Sequence, residues 1–147
     1  MNVLFDTNVL LDMIEKREPF YAAARRAAEF AVDERITGFV SVQSLNDIFY
    51  FVSKVHEAGD AFDAVEALSV LFKPIGVLPE DSMAALMSDF RDYEDGIINA
   101  SAVRSGIDII LTRDGSGFIE SELLVVSPDD LERYLEPGAA SGSAVTG

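Results

Sequence analysis

Apolar and polar residues follow one another in blocks that predict strands and helices in turn. Residues 2–6 form a short apolar run that ends in an acid, and apolar residues then recur at helical spacing from Val9 to Ile14. The Ala-rich segment 19–33 opens with a proline and predicts a second helix. Residues 36–42 are mostly β-branched and aromatic, which favours a second strand.

The same patterns continue to the end of the chain. They predict a helix after Ser44, a helix over 60–72, a strand over 74–78, helices over 80–90 and 94–105, strands over 107–111 and 122–126, and a last helix from Ser127 to Pro137. Strands that alternate with helices predict an α/β domain with a mostly parallel, buried sheet. We place this domain at residues 1–136 and expect the small, polar segment 137–147 to be a disordered tail.

Composition excludes several kinds of protein. The 147 residues include no cysteine, which removes disulfides, thiolate metal sites and a cysteine nucleophile. No apolar run reaches the roughly 20 residues that a membrane span needs. The N-terminal segment carries Asp6 and Asp12 and lacks a basic leader, so we expect no signal peptide and a cytoplasmic protein.

The charge balance is strongly acidic, with 11 Lys and Arg against 26 Asp and Glu and a formal net charge of −15. A protein that binds nucleic acid through its own field usually carries a basic patch. Two interpretations stay open at this point. In the first, the chain is an acidic enzyme without a polyanionic partner. In the second, some of its carboxylates converge to bind divalent cations, and these cations contact the phosphate groups of a substrate.

Two acids follow predicted strands. Asp6 ends the first strand, and Asp114 comes shortly after the strand over 107–111. Ligands of parallel α/β sheets bind outside the carboxyl ends of the strands, so these two side chains are expected at the same edge. Each of them alone would equally fit a cap of the following helix.

Two further candidate acids lie on predicted helices. Asp47 is about one turn into the helix after the second strand, and Asp95 opens the helix over 94–105. Neighbouring helix residues diverge by about 100°, so we expect Glu94 and Asp95 not to face one site. Asp92 and Asp95 are three residues apart and share a face.

Converging carboxylates suit the hydrolysis of a phosphodiester. Hard divalent cations activate water and neutralise charge on the phosphate, and Mg²⁺ and Mn²⁺ prefer oxygen ligands. With one histidine and no cysteine, the chain gives little support to a zinc site.

Four segments together resemble the PIN-domain family: FDTNVLLD (5–12), SLNDIFYFV (44–52), DYEDGIINASAVRSGIDIILTRDGSGF (92–118) and SPDDLERYL (127–135). The resemblance covers residues 1–135. It implies a three-layer α/β/α sandwich around a mostly parallel central sheet, with Mg²⁺ or Mn²⁺ as cofactor. It also implies endoribonuclease activity on single-stranded RNA. Many bacterial members resemble the VapC-type toxins, which implies the role of the toxin in a toxin–antitoxin pair.

The resemblance also assigns site residues. It implies four metal ligands: Asp6, Asp47, Asp95 and Asp114. Asn8 would orient the acids by hydrogen bonding, and Thr112 would hydrogen-bond a ligand or a bound water. The chain departs from the family at two places. Asp47 stands where the family usually has Glu, and Gly117 stands where it often has a further acid.

The resemblance implies partners as well: single-stranded or structured RNA, an antitoxin that often inserts an Arg or Lys into the acidic cleft, and a second copy in a homodimer. Five arginines are candidates to contact RNA phosphates: Arg25, Arg26, Arg91, Arg104 and Arg113. Arg113 is the best placed because it precedes Asp114, and it would equally pair with a local carboxylate.

Two alternatives to a toxin ribonuclease remain. A PIN-like scaffold that binds RNA or protein and cleaves poorly fits the net charge of −15 and the missing acid at Gly117. A metal-dependent phosphatase of small substrates would use the same acids and leave RNA intact.

Overall fold

The computed structural model describes residues 1–135, where strands and helices alternate as predicted. The strands are β1 (Asn2–Phe5), β2 (Thr37–Ser41), β3 (Lys73–Ile75), β4 (Ile109–Leu111) and β5 (Leu124–Val126). They form one parallel sheet in the order β3-β2-β1-β4-β5. The predicted disordered tail over 137–147, the domain end at 136 and the end of the last predicted helix lie outside the described residues.

The described residues also form seven α-helices and a short 3-10 helix at Gly115–Phe118. The α-helices are α1 (Thr7–Ile14), α2 (Tyr21–Val32), α3 (Val42–Val55), α4 (Ala58–Leu71), α5 (Pro79–Leu86), α6 (Tyr93–Arg104) and α7 (Leu131–Leu135). None of the helices in residues 1–135 is both long and apolar enough to cross a membrane.

The side chains of β1 alternate between two hydrophobic cores, one on each face of the sheet. Val3 and Phe5 pack in the larger core with residues of α1, α2, α3, α4 and α7. Leu4 points to the opposite face and packs with residues of α6 and with Phe118 of the 3-10 helix. The sheet is therefore covered by helices on both sides, which confirms the three-layer α/β/α fold.

Helix α3 begins earlier than predicted, at Val42 instead of after Ser44. Ser41 is its N-cap, because its hydroxyl accepts a hydrogen bond from the backbone N–H of Gln43 at 3.2 Å. Ser44 is buried inside the helix, where its hydroxyl accepts a hydrogen bond from the hydroxyl of Thr7 at 2.8 Å.

Several predicted elements are shorter in the structure: the helix predicted over 80–90 ends at Leu86, and the strands predicted over 107–111 and 122–126 begin at Ile109 and Leu124. The strand predicted over 74–78 ends at Ile75, because its neighbour β2 ends at Ser41, the residue that pairs with Ile75. The helix predicted from Ser127 begins only at Leu131. The residues before it form a turn, in which the N–H of Asp130 donates to the carbonyl of Ser127 at 3.0 Å.

The end of α6 lies where the sequence predicts it. Gly106 has φ 74°, a left-handed conformation that glycine adopts without steric cost, and its N–H donates to the carbonyl of Val103 at 3.2 Å. The chain leaves the helix there and enters β4, which pairs with β1.

Candidate active site

Asp6 lies at the carboxyl edge of the sheet, between the ends of β1 and β4. Its backbone N–H donates to the carbonyl of Leu111 at 2.9 Å, which extends the pairing of these two strands by one residue. Its carboxylate caps α1 by accepting from the N–H of Thr7 at 2.9 Å, and it accepts a second hydrogen bond from the hydroxyl of Thr112 at 2.8 Å. The same carboxylate therefore caps α1 and contacts the residue that follows β4.

Thr112 and Asn8 form a short network behind Asp6. The Thr112 hydroxyl accepts from the side-chain amide of Asn8 and from the backbone N–H of Asp114, both at 3.2 Å. The amide oxygen of Asn8 accepts from the N–H of Arg113 at 3.2 Å. Asn8 thus contacts Thr112 and the loop after β4, and it acts on Asp6 only through Thr112.

Asp114 caps the 3-10 helix at the start of the loop after β4. Its carboxylate accepts from the N–H of Ser116 at 3.2 Å and from the hydroxyl of Ser116 at 2.6 Å. These hydrogen bonds lower the pKa of Asp114 below its ordinary value, so the carboxylate is ionised at neutral pH.

Asp95 stands in the first turn of α6, opposite Asp6 and Asp114. Asp92 is the N-cap of that helix and accepts from the N–H of Asp95 at 2.9 Å. Burial, together with the negative charges of Asp92, Asp6 and Asp114, raises the pKa of Asp95 to about 6. The charge of Asp95 is therefore poorly neutralised by the protein itself.

Glu94 is a residue that the sequence argument set aside. A hydrogen bond with Asp47 raises the pKa of Glu94 to about 7, together with burial and the charges of Asp47, Asp92 and Asp95. The expectation that Glu94 and Asp95 do not face one site is wrong, because both line the same pocket. Asp47 on α3 approaches Glu94. The pocket is wide enough for the neighbouring residues Glu94 and Asp95 both to line it, although their side chains diverge.

The six acids described above are named here the acidic cluster: Asp6, Asp47, Asp92, Glu94, Asp95 and Asp114. They line two adjoining pockets that share Asp92 and Asp95. The first, of about 380 Å³, is the Asp47 pocket, with Asp6, Asn8, Arg17, Asp47 and Glu94 in its wall. The second, of about 500 Å³, is the Ser116 pocket, with Arg91, Asp114, Ser116 and Gly117 in its wall.

Gly117 faces the acidic cluster directly. A Cβ atom built at Gly117 would lie 2.7 Å from a carboxylate oxygen of Asp95. The position at which the family often has a further acid is therefore adjacent to Asp95, and the glycine leaves that space to the Asp95 carboxylate.

The acidic cluster fits a hard divalent cation by its donor chemistry. Its donors are carboxylate oxygens, with hydroxyl and amide oxygens beside them, as Mg²⁺ and Mn²⁺ prefer. As the side chains stand, no group of three or more His, Cys, Asp or Glu in residues 1–135 is arranged to hold a metal ion. Without a counter-ion the carboxylates repel one another, as the raised pKa values of Glu94 and Asp95 show.

The arginines that the sequence suggested for RNA phosphates have carboxylate partners in most cases. Arg113 donates to Asp12 from Nε at 2.8 Å and from Nη2 at 3.3 Å, which is the local pairing that its position left open. Arg104 donates to Asp81 and to the carbonyl of Gly76. The remaining two ion pairs are Arg25 with Glu29 and Arg26 with Glu132.

Two arginines line the acidic pockets. Arg91, one of the five candidates, lines the Ser116 pocket. Arg17 lines the Asp47 pocket and was missed. No spacing or motif in the sequence points to Arg17, because its place depends on the backbone turn after α1.

Comparison with known proteins gives a family and a set of structural relatives. A family model described as PIN domain matches residues 2–116. No curated protein sequence matches the chain. Among solved structures, a chain of the VapBC2 complex from Rickettsia felis, bound to a DNA fragment from its promoter, superposes with a TM-score of 0.68 at 15% identity, over 86% of this chain and 98% of that one.

Two other structural relatives show the same fold. A chain of a toxin–antitoxin complex from Klebsiella pneumoniae superposes with a TM-score of 0.66 at 22% identity, over 86% of this chain and 97% of that one. VapC20 from Mycobacterium tuberculosis, a toxin that cleaves the sarcin–ricin loop, gives a TM-score of 0.64 at 16% identity, over 82% of this chain and 98% of that one. At these identities the likeness concerns the fold.

Proposed function

The chain belongs to the PIN-domain family, and on that premise we propose that it is a divalent-metal-dependent endoribonuclease. Its reaction is the hydrolysis of phosphodiester bonds in single-stranded RNA, and its biological role is that of the toxin in a toxin–antitoxin pair. The proposal names Asp6, Asp47, Asp95 and Asp114 as the metal ligands.

One observation carries this proposal. Carboxylates from β1, α6 and the loop after β4 converge at the carboxyl edge of the sheet, close enough for Asp6 and Asp114 to raise the pKa of Asp95. Repulsion between these carboxylates opposes folding. Their convergence at one place therefore favours a site that binds a cation.

The bound cation would lower the pKa of a water molecule and neutralise charge on the phosphate. The protein's own side chains prepare the acids for this task. Thr112 fixes one oxygen of Asp6, Asn8 fixes Thr112, and Ser116 keeps Asp114 ionised. Such outer partners orient the ligands and set their basicity.

The partners follow from the same proposal. Several structural relatives are solved as toxin–antitoxin complexes, and VapC20 is described as cleaving the sarcin–ricin loop. For this chain we propose RNA as substrate, single-stranded or within a structured molecule. An antitoxin segment with an Arg or Lys would neutralise the acidic cluster, and a homodimer is the proposed assembly. This role would place the protein in the cytoplasm.

A second candidate is a PIN-like scaffold that binds RNA or a protein and cleaves poorly. The net charge of −15 and the glycine at position 117 favour it. The two candidates differ in whether metal-dependent cleavage occurs at all.

The test is cleavage of a mixed single-stranded RNA with Mg²⁺, with Mn²⁺ or with EDTA, by the parent and by Asp6→Asn. Loss of a ligand charge is expected to reduce cleavage about 100-fold or more, above the 10–100-fold loss typical of an outer partner of a ligand. Asp63→Asn is the matched control, because Asp63 is exposed on α4 and lies outside both acidic pockets.

The control variant is expected to cleave like the parent and to melt at the same temperature. If Asp6→Asn cleaved RNA like the parent, Asp6 would not be a metal ligand of the site. Absence of cleavage by folded parent protein with either metal would favour the scaffold.

A further inference from the structure

Arg17 reaches the acidic pocket because of the turn that ends α1. After the helix ends at Ile14, Lys16 adopts φ 51°, a left-handed conformation, and the N–H of Arg17 donates to the carbonyl of Asp12 at 3.0 Å. This backbone turn folds the chain back over the last turn of the helix. Arg17 is thereby placed beside Asp12 instead of continuing away from the helix.

Two contacts support the Arg17 side chain. Its Nη1 atom lies 3.8 Å from a carboxylate oxygen of Asp12, and its guanidinium carbon lies 4.9 Å from the centre of the Phe51 ring. Asp12 makes its shorter contacts with Arg113, at 2.8 and 3.3 Å. Within residues 1–135 the guanidinium of Arg17 donates no hydrogen bond, so its N–H groups are available to a ligand.

Arg17 lies where a substrate would meet the acidic cluster. Among residues 1–135 it is the only cationic side chain in the wall of the Asp47 pocket, which also contains Asp6 and Asp95. Its side chain is 34% exposed, while that of Asp12 behind it is 2% exposed. It makes no ion pair within 4.0 Å with an acid of the cluster in the described chain, so it does not serve to neutralise them.

We propose that Arg17 binds a phosphate of the RNA strand, next to the phosphate that lies at the acidic cluster. This inference rests on the proposed function and adds a substrate contact to it. A guanidinium presents several N–H groups in one plane, which suits two phosphate oxygens at once. The stacking on Phe51 and the carboxylate of Asp12 hold this plane at the wall of the pocket.

The experiment measures binding of a short fluorescent single-stranded RNA across a series of salt concentrations. Ca²⁺ replaces Mg²⁺ so that binding is measured apart from cleavage. Loss of one phosphate contact lowers the slope of log affinity against log salt concentration by about 0.7 for a single strand. We expect this change in Arg17→Ala, with a loss of affinity of about tenfold or more, because a hydrogen bond to a charged group is stronger than one between neutral groups.

Two further variants separate binding from structure. Arg17→Lys keeps the charge, so its salt slope is expected to match that of the parent while its affinity falls less than in Arg17→Ala. Arg133→Ala removes an exposed arginine of α7 that pairs with Asp130 and lines neither acidic pocket, and its slope and affinity are expected to be unchanged. Thermal melting of each variant shows whether the fold is retained.

Three outcomes would overturn the assignment: an unchanged salt slope in folded Arg17→Ala, an equal loss of slope in Arg133→Ala, or no RNA binding by the parent. Cleavage by the parent, measured separately, keeps the two proposals apart. A parent that cleaves RNA with no effect of Arg17 on the slope contradicts Arg17 alone. A parent that binds through Arg17 and does not cleave contradicts the nuclease alone.

Discussion

The acids of this chain occur in two different environments. Asp12 and Asp81 are almost completely buried, and each contacts an arginine: Arg113 lies 2.8 Å from Asp12, and Arg104 lies 2.9 Å from Asp81. The carboxylates of the acidic cluster have one another as neighbours instead. The hydrogen bond to Arg104 lowers the pKa of Asp81, while burial raises the pKa of Asp95 to about 6.

This difference separates acids that the protein neutralises with arginine from acids that it leaves beside one another, without reference to position in the sequence. A buried carboxylate that pairs with arginine is costly to remove, because the arginine would be left without its counter-charge. A carboxylate left beside other carboxylates costs free energy until a cation or a proton arrives. Asp12 and Asp6 are both part of DTNVLLD, and only their surroundings distinguish their roles.

The largest expected effect on stability comes from Asp12→Ala. This substitution leaves Arg113 and Arg17 without their shared carboxylate, and breaking a buried ion pair typically costs 3–5 kcal/mol. Both arginine side chains are 34% exposed, so water solvates them once the carboxylate is gone. We therefore expect the free energy of unfolding to decrease by about 3 kcal/mol, at the lower end of that range. Urea unfolding without metal measures the change in the free energy of unfolding.

Asp95→Asn is the matched substitution in the acidic cluster. Without metal it removes one of several repelling charges, so the free energy of unfolding is expected to stay the same or to increase. If Asp95→Asn destabilised the protein as much as Asp12→Ala, the two environments would not differ as described.

The next largest effect concerns the pH dependence of stability: the metal-free protein is expected to be most stable in mildly acidic solution. The folded state raises the pKa of Glu94 to about 7 and that of Asp95 to about 6, so it binds these protons more tightly than the unfolded chain does. Stability of the metal-free protein therefore increases as the pH falls through this range. The pKa of Asp81 is lowered from 3.8, so its stabilising effect is present above that value and is lost as the pH falls through the lower folded value.

In EDTA, the melting temperature is expected to increase as the pH is lowered from about 8 to about 5. It is expected to decrease again as the pH is lowered below about 4. Added Mn²⁺ should raise the melting temperature most at the alkaline end, since metal binds the deprotonated carboxylates. In Glu94→Gln the rise in EDTA should be smaller. A melting temperature that falls steadily from pH 8 to pH 5 in EDTA would contradict the interpretation of the cluster.

The smallest effect on stability is expected from Gly117→Ala. The added Cβ would lie 2.7 Å from an oxygen of Asp95, the end of a side chain that is able to turn away. We expect a change in melting temperature of about 2 °C or less, because a small conflict at a side-chain end costs well under 1 kcal/mol. If Asp95 is the metal ligand that we propose, RNA cleavage is expected to fall about tenfold, because displacement of a ligand by even 1 Å is costly.

Gly115→Ala is the control for this substitution, since it lies in the same 3-10 helix. A Cβ at Gly115 would meet only a methyl group of Val125 at 3.7 Å, an ordinary contact. Equal loss of cleavage in both variants would show that the loop, and not the position of Asp95, determines the effect.

Several features of the fold and the site follow from the sequence alone. The alternation of strands and helices predicts the layers, and the acids after the first and fourth strands predict where Asp6 and Asp114 meet. Boundaries were less accurate because they depend on partners: β3 ends where β2 ends, and α3 begins at the cap that Ser41 provides.

The missed features depend on contacts between distant segments. Glu94 was set aside by an argument about neighbouring helix residues, which takes no account of Asp47 approaching from α3. Arg17 could not be predicted because its position depends on the left-handed backbone conformation of Lys16. It also depends on Arg113, which makes the shorter contacts with the carboxylate of Asp12. Local patterns in the sequence contain neither piece of information.

The central position of β1 has a consequence for synthesis of the chain. β1 is made before both of its neighbours in the sheet, and of these β4 follows only after β2 and β3 have been made. Asp6 and Thr112, which supports it, are 106 residues apart. At about 5–20 residues per second, a ribosome needs about 5–20 s to make the intervening chain. During that interval β1 has an open edge and Asp6 lacks the hydrogen bond from Thr112, so the acidic cluster is complete only after the loop that follows β4 has been made.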